Sequence, residues 1–137
     1  MIQRIQSVWL LVAGILALLT LILPTYSGGV ANTNTYQELT ARNAGFFILF
    51  ITVLIAVLAF VAIGMFKNRS MQLKLCIVGI VAEALVFFLY YQKSTAFVQG
   101  TYALGAILHP IIILLFVLAG KGINNDEKLI RDSDRLR

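Results

Sequence analysis

The chain has 137 residues, of which 60% are hydrophobic and 12% charged, with a formal net charge of +5. Soluble domains carry roughly twice that share of charged residues, so the composition excludes an ordinary water-soluble fold and points to an integral membrane protein. The positive charge argues against a nucleic-acid partner, because it is not interleaved with aromatics in a binding module and instead follows the positions expected of membrane-flanking cations.

Four apolar runs, at about residues 8–23, 44–66, 73–91 and 102–120, are long enough to cross ~30 Å of hydrocarbon as helices. They are continuous rather than alternating, which favours helices over a closed barrel. Arg4 precedes the first run, where a positive start, an apolar stretch and the small residues Gly29 and Ala31 fit a cleaved leader only loosely. Cleavage would leave three spans with the termini on opposite sides, so the first run is kept as a span. Ala13 and Ala17 mark its expected packing face, since small residues let helix backbones approach in lipid.

Pro24 ends the first run because it has no amide hydrogen to continue a helix. The following stretch, rich in Gly, Asn, Thr and Tyr, reads as a solvated connector on the outer side. Asn43 is a candidate cap for the second run, in which Ala59 and Ala62 mark a packing face. Lys67 to Met71 forms a tight turn, making the second and third spans antiparallel neighbours.

The third run contains Cys76, read as a small packing residue, and Gly79. It also contains Glu83, which with Phe87 and Tyr90 continues the Cys76 and Gly79 stripe along one helix face. A matching stripe on the fourth run takes in Tyr102, Gly105, His109, Ile113 and Phe116. Counted from the cytoplasmic helix ends, Glu83 and His109 reach the same depth near the bilayer centre, at about 15 Å. An unpaired charge there costs between roughly 3 and more than 10 kcal/mol, so the two are expected to pair. Pro110 removes the hydrogen bond to the Ala106 carbonyl and is expected to kink the helix beside the pair. Trp9 at the inner face and Tyr26, Tyr90, Tyr91 and Tyr102 at the outer face fit headgroup-level aromatics.

Past Gly120 and Gly122, which allow a bend, residues 121–137 form a charged tail. A short helix capped by Asn125 is expected, with Glu127–Arg131 and Lys128–Asp132 spaced four apart. Leu129, Ile130, Arg131, Arg135 and Leu136 are its candidate docking residues. Nine of the eleven Lys and Arg fall before the first run, around the second turn or after the last run, leaving only Arg42 and Lys93 elsewhere. The positive-inside rule then places both termini in the cytoplasm.

The expected fold is therefore an all-α integral membrane four-helix bundle over residues 1–120, up-down-up-down, with a cytoplasmic tail. The segments "MIQRIQSVWLL" and "DEKLIRDSDRLR", with four spans in about 140 residues, resemble a Bacteroidetes-type family of small inner-membrane proteins classified only as a domain of unknown function. That resemblance implies a four-span bundle in a bacterial inner membrane and no activity, substrate or catalytic residue.

One histidine and one thiol supply neither a haem ligand pair nor a metal-ligand spacing, and no phosphate loop or nucleophile elbow is present. The expectation is a non-enzymatic accessory or scaffold subunit without cofactor, whose partners are the bilayer and a membrane protein or a second copy. The rival is a proton-coupled carrier or channel subunit using Glu83 and His109, and against it spans one and two offer only Thr20 and Thr52 as further polar groups.

Overall fold

Long runs of Leu, Ile, Val, Phe and Ala without internal charge leave the backbone to satisfy itself, and they form helices. The computed structural model describes residues 3–30 and 35–135. Its helices are α1 Gln3–Leu19, α2 Phe46–Gly64, α3 Arg69–Ser94 and α4 Leu104–Arg135. Three of them, α2, α3 and α4, are long and apolar enough to span a membrane, and α1 is a shorter apolar helix.

The helix ends differ from the apolar runs where caps and turns intervene. α1 stops at Leu19 and gives way to a turn before Pro24. α2 begins after Gly45, whose φ of 117° favours glycine, and no side chain caps it, so Asn43 does not act as the cap. α3 begins four residues before its apolar run, because Asn68 Oδ1 accepts the Met71 amide at 3.3 Å. α4 continues without a break through Pro110, Gly120 and Gly122. The tail therefore prolongs α4 instead of starting a new helix at Asn125. Neighbouring turns of a helix fixed on both sides supply enough hydrogen bonds to carry it past two glycines.

The chain is mostly helical but not all-α, which corrects the expected class. β1 Tyr26–Val30, β2 Tyr36–Leu39 and β3 Phe97–Tyr102 form an antiparallel sheet in the order β2-β1-β3. Two loops read as connectors thus pair with each other. The C-terminal ends of α1 and α3 and the N-terminal ends of α2 and α4 all meet this sheet, so the helices alternate in direction.

The bundle closes as a ring in which each helix packs on its chain neighbours and α1 packs on α4. Ala13, Ala17, Ala59 and Ala62 are all fully buried, as expected of a packing face. Phe116 fills the room left by Gly79, where a Cβ would approach its ring to 2.8 Å. The outward faces of α2 and α3 carry exposed Phe, Val, Leu and Ile, the inverse of a soluble bundle.

Within the sheet, Gly28 faces Gly100, and a Cβ on Gly28 would meet the Gln99 carbonyl oxygen at 2.2 Å, whereas one on Gly29 would meet nothing within 4 Å. Gly28→Ala is therefore expected to lower the thermal midpoint in detergent by separating β1 from β3, a loss of about 1–3 kcal/mol. Gly29→Ala is expected to stay within about 0.5 kcal/mol of the parent. Equal midpoints for the two variants would contradict the pairing.

Candidate functional site

Glu83 and His109 come from facing positions of α3 and α4, and both are buried. His109 Nδ1 lies 2.5 Å from Glu83 Oε1. The other ring nitrogen, Nε2, lies a long 3.4 Å from the Thr25 hydroxyl. Thr25 stands where the sheet meets the bundle: its amide donates to the Leu39 carbonyl at 2.9 Å, and its carbonyl accepts the Ala103 amide at 3.0 Å. The aromatic rings of Tyr90 and Phe87 flank the imidazole, at centroid distances of 5.2 and 5.9 Å.

This geometry constrains the proton inventory. Sharing one proton between Glu83 and His109 leaves the pair net neutral, either as carboxylic acid with imidazole or as carboxylate with imidazolium. Both forms put a hydrogen on Nε2, which then donates to Thr25 Oγ1. The alternative with a hydrogen only on Nδ1 leaves a net negative charge in an apolar bundle, which the surroundings oppose. A neutral clasp joining α3, α4 and the sheet junction is the arrangement of lowest charge.

His109 is the sixth residue of α4, about 7.5 Å along the axis from the helix start at Leu104. It therefore lies near the sheet end of α4. Pro110, the next residue along α4, is exposed.

Thr20 and Thr52 do not extend the polar cluster. Each hydroxyl donates to a carbonyl of its own helix, that of Ala17 and of Ile48 respectively, at 2.7 Å. Among the described residues, no three His, Cys, Asp or Glu side chains gather as a metal-ligand set.

One member of the cluster went unread in the sequence. Thr25 looked like loop, and its one signal is a hydroxyl placed directly after the helix-ending Pro24. Tyr90 lies on the Glu83 stripe yet also fits an outer aromatic belt; the structure turns it inward, 2% exposed, with its hydroxyl beside Thr25 but outside hydrogen-bond geometry. A second buried contact was also missed, in which Gln6 Nε2 donates to Asp126 Oδ2 at 2.6 Å and ties α1 to the far part of α4. Of the tail residues, Leu129, Ile130 and Arg131 are exposed on α4. The Arg135 side chain and Leu136 lie outside the described residues.

A family model described as "Domain of unknown function (DUF4293)" matches residues 2–136. The chain belongs to the DUF4293 family. No functionally curated protein and no solved structure matches it. For this DUF4293 chain the polar clasp has to be interpreted from its own geometry.

Removing one partner strands the other. His109→Leu is expected to destabilise the detergent-solubilised protein by about 3–5 kcal/mol, since a buried acid then loses its counterpart. Glu83→Gln keeps an acceptor for Nδ1 and should cost less than about 1.5 kcal/mol. The double change Glu83→Leu/His109→Leu should cost less than the sum of the two single leucine changes. Tyr90→Phe should be within about 0.5 kcal/mol of the parent, because the hydroxyl it removes has no hydrogen bond. Unfolding midpoints for this set check the assignment, and strictly additive losses would refute the clasp.

Proposed function

We propose that this DUF4293 chain is a four-span protein of a bacterial inner membrane, of Bacteroidetes type, with both termini in the cytoplasm. In this reading it is a non-enzymatic accessory or scaffold subunit whose α4 extension docks a membrane-protein partner. The observation that carries the proposal is the length of α4. Its 32 residues amount to about 48 Å of helix, against ~30 Å of hydrocarbon, so the last turns stand clear of the bundle while remaining continuous with its core.

Those turns carry Leu129 and Ile130 at 62% and 48% exposure, next to the exposed charges of Glu127, Lys128 and Arg131. An apolar pair rimmed by charge on a rigid helix suits helix-in-groove recognition. α1, with 17 residues or about 25 Å of helix, is at the short end of what crosses a bilayer. Its place in the closed ring with α2 and α4 supports it as the fourth span. The distribution of cations supports the orientation, as most lie at the ends remote from the sheet.

The carrier reading is less well supported. The polar cluster ends at Thr25 and Tyr90, and the hydroxyls of Thr20 and Thr52 bond within their own helices.

Reporter fusions at the two termini should both report the cytoplasm, and an insertion within residues 31–34 should report the opposite side. Removing residues 128–137 keeps the Gln6–Asp126 contact and should preserve folding while abolishing co-purification of partners from native membranes. Leu129→Ala/Ile130→Ala should weaken the same capture. An unchanged partner set after truncation would rule out the tail as the docking element.

A further inference from the structure

Glu38 is the one solvent-exposed acid at the sheet end. Of the six acidic residues, Glu83 is buried in the bundle, and Asp126, Glu127, Asp132 and Asp134 all belong to the far part of α4. Among the described residues the one ion pair is that of Glu83 with His109, so Glu38 has no cation of its own in a chain of net charge +5. Its register partner on β1 is Ser27.

Glu38 and Ser27 are the polar side chains, besides Tyr102, that line a groove of about 510 Å³ between the sheet and the start of α4. Leu23, Pro24, Tyr102, Leu104 and Ile107 line most of it. The apolar wall continues outward, with Ile22, Leu104 and Ile107 exposed by 66%, 70% and 58%. The groove thus joins a lone carboxylate to a surface that, in the bilayer placement proposed above, faces acyl chains at headgroup depth.

We propose that this groove seats one membrane lipid with a primary ammonium headgroup, its chain lying along Leu104 and Ile107 and its ammonium on Glu38. The proposal rests on the bilayer placement. Recognition sites of this type combine an apolar floor with a few polar groups that set orientation. A primary ammonium offers N–H donors to the carboxylate, whereas a quaternary headgroup offers none. An anionic headgroup is repelled by Glu38. The groove is open, so the selectivity is modest.

Native mass spectrometry of the full chain, titrated in detergent with phosphatidylethanolamine, phosphatidylcholine or phosphatidylglycerol of identical chains, tests this. The ethanolamine lipid should bind roughly two- to fivefold more tightly than the other two, the size an exposed ion pair supports. Glu38→Gln should erase that preference, Ile107→Trp should lower binding of all three by filling the groove, and Glu127→Gln should leave the preference intact. Equal binding of the three lipids by the parent, or a preference that survives Glu38→Gln, would overturn the proposal. Flotation with vesicles separates the two levels: a chain that fails to float refutes the bilayer placement, whereas one that floats without lipid preference refutes only the groove.

Discussion

A carboxyl group held away from water must find a proton or a counter-charge, and His109, 2.5 Å from Glu83, can meet either need. That one contact fixes more than a pair of side chains. Because His109 also reaches Thr25, and Thr25 is bonded through its backbone to Leu39 and Ala103, the rotation of α4, the face of α3 and the seating of the sheet become a single geometric problem. A turn of α4 by one residue would take His109 off the interface and leave Glu83 alone among apolar neighbours. Side chains of Leu or Ile at the same positions tolerate several registers, and this pair tolerates one.

The sheet follows from a related constraint. Connections between apolar helices carry backbone donors and acceptors that need partners wherever water is scarce. Here the two loops at one end satisfy each other: the Gly105 amide donates to the Pro24 carbonyl at 2.9 Å, while β1 pairs on both edges. Two close approaches, at Gly28 and Gly105, leave no room for a Cβ between backbones. The result is a paired sheet in place of two separate connectors, and the polar cluster reaches it through Thr25.

The helices were legible because their signal is local. A run of twenty apolar residues has few alternatives, and the buried alanines announced the faces on which the helices meet. Their ends were less legible, since Asn68 capping and the continuity of α4 depend on a few hydrogen bonds that hydropathy does not register. The sheet was invisible for a different reason. Its strands have four to six residues, β1 and β3 include glycines, the alternation that marks a half-buried strand is lacking, and β1 and β3 are far apart in sequence. Of the site, Glu83 and His109 stood out as ionisable residues in apolar runs. Tyr90 was legible as a continuation of the Glu83 stripe, although an aromatic near a helix end also suits an interface belt, and Thr25 was not, because a threonine after a proline is an ordinary loop residue. Gln6 and Asp126 were illegible as a pair, being 120 residues apart.

The two clasps act on α4 from opposite ends. Near its start His109 is tied to α3 and the sheet, and farther along Asp126 is tied to Gln6 of α1, where Gly122 leaves room for the glutamine stem. Between them lie Ile112, Phe116 and Ala119, whose packing is dense but carries little information about axial position, since helix association in lipid gains little from hydrophobicity. A rod held at two points separated by 17 residues, or about 25 Å, can neither slide nor rotate without breaking a buried polar contact. The turns beyond Asp126 inherit that rigidity, because an α-helix transmits orientation along its axis until its hydrogen bonds fray. Leu129 and Ile130 are thereby presented in a fixed direction relative to the bundle, so that in the proposed docking role little ordering would remain to be done on binding.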